Sequence, residues 1–381
     1  MDDLPDPRVA GDPRDVPAFA AELHALAARS LSATTAQDAD RVDATIVGAL
    51  ARMIECREGS GLALLLERAP TLSVHRHLWR VLSRVAAAGP ADGAGLAVTL
   101  FAIPLVIVAG ATGTPDRATL PGVLPDADGL AAVLREHGAL AGNRTITLAN
   151  ALVREDAIDI AELPRLLASR SLARGEPFAP LELPPAPLDV AGPEGAHLRF
   201  LVGSALAAPG AGLLRETDVG RWGMPLARSL IAQLALPGVP VVALPRPAMS
   251  LPAAVVQGRA ARREVSAQLF ASSALRELRA SAGEPVAIIS AHRTADATGG
   301  GELRLSLSSA LSPRDAQGFR CPLYPADRVS DVAGMLVDLL RDCRVADIRV
   351  LSGVHADREP VTGGPLLFKP GTVPDAGQRM H

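Results

Sequence analysis

The segment Gly95–Gly113, GLAVTLFAIPLVIVAGATG, contains no charged side chain. It is long enough to cross a bilayer as a helix, but its content opposes that. Pro104 sits mid-run, Gly and Thr crowd the end, and Val98, Ile103, Val106, Ile107 and Val108 are β-branched. Asp92 and Asp116 flank the run, with no adjacent Lys or Arg to set an orientation. The expectation for 95–113 is therefore no membrane span but a central buried strand, or two strand pieces broken at Pro104, since proline cannot donate to a central ladder. A ligand would fit only at the end of the run, Gly110–Gly113.

The rest of the chain is patterned as a mixed α/β (α+β) protein. Phe19, Leu23, Leu26 and Leu31, then Val42, Ile46, Leu50 and Met53, recur at helical spacing. SVHRHLWRVLSRVAA adds a third helix, so the first 90 residues read as a helical layer. A middle strand/helix layer follows: LREHGAL closes a helix, RTITLANAL is a strand, and DIAELPRLLASRSL is a helix with a distortion at Pro164. Beyond the proline-rich stretch, HLRFLVGSAL, VPVVAL, PVAIISAH, ELRLSLSSAL, ADIRVLSG and PLLFKP read as strands. WGMPLARSLIAQLAL, the long AMSLPAAVVQGRAARREVSAQLFASSALRELRA and DRVSDVAGMLVDLLRDC read as helices. In the last of these, Val329, Val332, Leu336, Leu339 and Cys343 form the apolar stripe. From Val239 the order β-α-β-β-α-β is that of a ferredoxin-like, split βαβ half. The boundaries that follow are a tail over 1–15, a helical plus α/β layer over 16–174, a Pro-rich connection over 175–195, an α/β part over 196–370 and a tail over 371–381.

Composition narrows the function. Aromatics make up 3% of the chain and the formal net charge is −3, which argues against a general polyanion binder with stacking platforms. Lys369 is the only lysine, and its context LLFKPGT fits neither Schiff-base chemistry nor a phosphate loop. Cys56, Cys321 and Cys343 are too few and too far apart for a disulfide framework or a CxxC metal site. The N-terminus lacks the basic and apolar regions of a signal peptide, so a cytoplasmic location is expected. No cofactor or metal is implied.

Three constellations merit weighing. AIISAHRTADATGGGELRL and RVLSGVHADREPVTGGPLLF each run strand, Ser, His, polar loop, Thr-Gly-Gly, strand. His292 and His355, with Asp296 and Asp357, would meet if their strands ended on one edge, giving an imidazole–carboxylate pair suited to acid–base work. Two hairpins using ordinary turn chemistry explain the same pattern. Arg215, Asp218 and Arg221 precede a helix and, with Arg293, are candidates for holding an anion; capping by Asp218 and packing of Trp222 is the plainer account. Arg259, Arg262 and Arg263 would form a basic face on the long helix for nucleic acid, or simply a solvated surface. His75 and His77 point away from each other on a helix and read as surface residues. Gly203-Ser204 and Gly210-x-Gly212 complete neither a dinucleotide fingerprint nor a nucleophile elbow, and read as loop glycines.

DATIVGAL, LFAIPLVIVAG, LREHGALAG, ALVREDAIDIAELPRLL and VADIRVLSG…TGGPLLFKP together resemble an uncharacterised proteobacterial family of about this length. The family pattern carries a cysteine pair just before GxPLxxP, where this chain reads REPVTGGPLLFKP, so a metal or redox role tied to that pair would be missing here. The resemblance implies no activity, cofactor or catalytic residue.

No complete catalytic constellation is visible. The chain therefore reads first as a noncatalytic binding, scaffold or regulatory module acting on a protein partner or by self-association. A hydrolase or transferase at the His292/His355 edge is the rival, and nucleic-acid binding through the Arg-rich helix is the third reading.

Overall fold

The computed structural model describes residues 16–56, 58–87, 97–110, 117–139, 145–157, 183, 185–191, 195–207, 219–249, 251–280, 283–293, 301–309, 316–324, 327–360 and 362–370. Helices and strands are both abundant, so the class is mixed α/β. The chain divides into two compact units, 1–259 and 260–381.

The first unit opens with four helices, α1 (Val16–Ser32), α2 (Ala36–Glu55), α3 (Gly59–Glu67) and α4 (Leu72–Ala87). Their 3.6-residue periodicity buries Leu23, Ile46, Leu50, Leu62, Leu65, Leu78 and Leu82 in one core. Thr35 caps α2 by accepting the amide of Asp38. The short α3 was not legible in the hydrophobic pattern, because GSGLALLLE is apolar on every side.

Next come β1 (Ala97–Ala109), β2 (Arg117–Leu120), α5 (Ala127–Glu136), β3 (Ile146–Val153), β4 (Leu188–Ala191), β5 (Gly195–Ala207), α6 (Val219–Leu234), β6 (Val241–Pro245) and α7 (Leu251–Ala280). The sheet order is β3-β5-β1-β6, antiparallel throughout, and β2 pairs with β4 separately. Residues Ala97–Ala109 of the uncharged run are thus one central strand, unbroken at Pro104. Ala102 exchanges both backbone bonds with Met249, and the Pro104 carbonyl accepts the Arg246 amide. Alternation along the ladder puts the missing Pro104 N–H on that same side. There the register goes from Leu105↔Pro245 to Ala102↔Met249, one extra residue on the partner strand. The proline therefore lies opposite a bulge, where no donor is needed.

Both faces of this sheet are covered, which is why β1 shows no polar alternation. Phe101, Ile103, Leu105 and Ile107 share a core with Leu130, Leu134, Trp222, Leu226 and Leu230 of α5 and α6. On the other face the start of α7 closes on β5: a Cβ on Gly258 would lie 2.9 Å from Leu198 and 3.1 Å from Phe200. Gly203 is likewise a packing glycine inside β5, not a loop glycine. A Cβ there would stand 2.7 Å from both Leu148 and Phe101 and 2.8 Å from the Thr147 carbonyl oxygen. Gly203→Ala is expected to cost about 1–3 kcal/mol by overpacking, read as a lower urea midpoint with an unchanged m-value.

The second unit holds β7 (Pro285–Arg293), β8 (Gly301–Ser309), β9 (Gln317–Leu323), α8 (Val329–Asp342) and β10 (Asp347–His355). Its sheet order is β10-β7-β8-β9, with β10 parallel to β7 and the other pairs antiparallel.

Several expectations need correction. Strands on both sides of 175–195 share one sheet, so that stretch is no domain boundary; the division falls inside α7. The ferredoxin-like half is not formed: β6, its expected first strand, pairs with β1, and β9 supplies a strand the sequence reading left out. PLLFKP is irregular apart from a bridge between Arg358 and Pro365. In α8 the buried stripe is Val332, Leu336, Val337 and Leu340, while Val329 is exposed. The helix expected over 159–172 and the tails lie outside the described residues. Among the described residues, no helix is long and apolar enough to cross a membrane.

Candidate functional site

The strand GELRLSLSS alternates between two kinds of residue. Leu303, Leu305 and Leu307 join Ala287, Ile289, Cys321, Leu336 and Leu340 in the core on one face. Burial in that core pushes the Cys321 thiol up to about 12, so it is no thiolate. The opposite face carries Ser290 and His292 from β7, and Glu302, Arg304 and Ser306 from β8. Ser290 lies opposite Arg304, and His292 opposite Glu302. A polar sheet face is ordinarily solvated, yet here Ser290 and His292 are 1% exposed and Arg304 0%.

The cover is the chain's own segment 356–370. His292 Nδ1 donates to the Ala356 carbonyl at 2.7 Å, and Ser290 Oγ donates to Nε2 at 2.8 Å. A carbonyl only accepts, so Nδ1 carries the hydrogen of the neutral ring. Arg304 donates to Glu302 and Asp357, and to the carbonyls of Asp357 and Leu366. Arg320 closes on the same Glu302 carboxylate at 2.8 Å. Gly318 leaves room for Leu367, whose Cδ1 lies 2.3 Å from where a Cβ would stand. Phe368 packs edge-on to His355 at 4.9 Å and tilts toward His292 at 6.2 Å.

His292 and His355 do meet, in register, with ring centroids 5.8 Å apart. Of the expected carboxylates, Asp357 accepts from Arg304. Asp296, Arg215 and Asp218 lie outside the described residues. Arg221 is exposed in the first turn of α6, and Arg293 is exposed at the end of β7. No group of three or more His, Cys, Asp or Glu able to hold a metal occurs among the described residues.

The basic face on α7 is not available as expected. Arg259 donates to Glu155, Arg262 to the Tyr324 hydroxyl at 2.7 Å, and Arg263 to both oxygens of Asp327. Arg263 is buried. Each guanidinium is held by the fold, which removes much of its value for phosphate.

The first unit holds a polar cluster that sequence reading missed. His75 and His77 point apart as expected, but both are buried. His77 Nε2 donates to Asp43 at 2.8 Å, Arg80 donates to His77 Nδ1 at 2.7 Å, and Ser30 donates to Asp43 at 2.6 Å. Burial raises the Asp43 carboxyl, but the Ser30 bond, His77 and Arg84 outweigh it and hold the group below its usual value. His24 and His75 donate to the Leu65 and Leu66 carbonyls in the last turn of α3. These histidines fasten α1, α2, α3 and α4 together.

No protein-family model matches the chain, and neither a curated protein nor a solved structure does.

Proposed function

We propose that this chain is a noncatalytic binding or regulatory module of the cytoplasm, acting through a protein partner or self-association. One observation carries the reading: the polar groups at the His292 edge are spent on binding a peptide segment, the chain's own 356–370. Ser290, His292 and Arg304 are sealed, both ring nitrogens of His292 are engaged, and Arg304 grips one carboxylate and two carbonyls of that segment. Ser290, His292 and Arg304 all find partners, whereas Ser306 Oγ and His355 Nε2 on the same face are buried with none among the described residues. The likeness to an uncharacterised family adds no activity.

A second reading rests on the Ser290–His292 bond. A hydroxyl on an imidazole whose other nitrogen is anchored has the outline of a nucleophile–base pair. Here the anchor is a carbonyl in place of a carboxylate. A fluorophosphonate probe separates the two readings. The noncatalytic reading expects intact-protein mass spectrometry to show no adduct on the full chain. A stoichiometric adduct mapped to Ser290, and lost in Ser290→Ala, would replace it with a serine enzyme.

A further inference from the structure

The 356–370 segment is fastened to the second unit differently from everything else in it. The far face of the β10-β7-β8-β9 sheet is held by an apolar core drawn from α7 and α8. The segment is held by carbonyls and one carboxylate on His292 and Arg304 and by the Pro370 carbonyl on Arg349, with Leu367 and Phe368 among its apolar contacts. Elements with few buried apolar contacts open at the lowest free-energy cost.

We propose that 356–370 is a pH-sensitive strap: protonation of His292 releases it and uncovers the polar face of the sheet. This rests on the reading of that face as a peptide clamp.

The groups facing His292 make the case. From β8 come Glu302 and Arg304, from β10 His355, from the strap Asp357 and Phe368, and from its own strand Ser290, with Arg293 next in line. In the neutral ring, Nδ1 donates to Ala356 and Nε2 accepts from Ser290. A proton on Nε2 turns that acceptor into a donor, so the Ser290 hydroxyl hydrogen must swing away within a site 1% exposed. The new charge also lands beside Arg304, whose partners Glu302 and Asp357 are already committed. Burial holds His292 below the usual histidine value, against the pull of the Ala356 carbonyl and the Glu302 carboxylate, and Arg304 and His355 push the same way as burial. The sign follows. The docked state takes up this proton less readily than the open one. Docking is complete above the ordinary histidine value of about 6.5 and is lost as pH falls below it.

Hydrogen exchange of the full chain, corrected for intrinsic rates, tests this at about pH 7.5 and about pH 5. The amides of Glu359, Gly363 and Leu366 are hydrogen-bonded within the strap, and Ile289 and Leu305 report on the sheet beneath. Strap protection is expected to fall about ten-fold or more at the lower pH while the strand amides hold. His292→Asn keeps an amide donor for Ala356 but does not titrate, so its strap should stay protected at both values. His355→Asn should keep the response. Equal protection at both pH values in the wild type overturns the proposal. So does a loss of the same size in His292→Asn, a loss shared evenly by Ile289 and Leu305, or a response that disappears only in His355→Asn. Fluorophosphonate labelling of Ser290 bears on the clamp reading alone, so the two can fail separately.

Discussion

Arg304→Ala is expected to destabilise the C-terminal unit by about 3–5 kcal/mol, the largest effect of any single change at the clamp. The side chain is 1% exposed and sits between Glu302, 6% exposed, and Asp357, 24% exposed. Removing it takes the Arg304 guanidinium from Asp357, leaves Glu302 with Arg320 alone, and frees the carbonyls of Asp357 and Leu366. Arg304→Lys should recover little, since an ammonium cannot span a carboxylate and two carbonyls as the planar fork does. The decisive comparison is the triple variant Arg304→Ala, Glu302→Gln, Asp357→Asn. If stranded charge dominates, neutralising both acids restores a large part of the loss in a urea titration followed by circular dichroism. A triple variant no better than Arg304→Ala would mean that the lost hydrogen bonds matter more than the charges.

Trp222→Ala should cost the N-terminal unit a similar amount, about 3–5 kcal/mol. Trp222 is fully buried in the core that α5 and α6 build on β1 and β5, and its neighbours are close-packed Leu and Ile side chains that can collapse only partly into the hole. Trp222→Phe should cost well under half as much. The indole Nε1 is buried with no hydrogen-bond partner among the described residues, so replacing the ring by phenyl removes an unsatisfied donor along with some volume. Thermal unfolding of the three proteins should rank wild type, then Phe, then Ala. A Trp222→Phe variant as unstable as Trp222→Ala would argue against both the orphan donor and the close packing.

The candidate site was legible only in part. The repeated order strand, Ser, His brought His292 and His355 to one edge, because both histidines sit at equivalent positions near the ends of neighbouring strands. The bond between Asp357 and Arg304 was not legible, because the two lie 53 residues apart. Glu302-Leu303-Arg304-Leu305-Ser306 alternates like any strand with one solvated face, so nothing local showed that its polar side is buried. Arg259, Arg262 and Arg263 failed as a basic face because their acceptors come from sequence positions as distant as Glu155 and Asp327. No local pattern can reveal such partners.

What the sequence determined by itself was local. β-branched content and a mid-run proline marked the strand Ala97–Ala109 within the uncharged run, and 3.6-residue stripes marked α2 and α8. Two-residue alternation marked β8. Tertiary structure alone decided that β6 joins β1, that the Pro104 gap faces a bulge, and that 356–370 lies over the polar sheet face. The reason is physical: backbone periodicity records which two faces an element has, whereas the identity of the segment that covers each face is set by long-range packing and hydrogen-bond satisfaction.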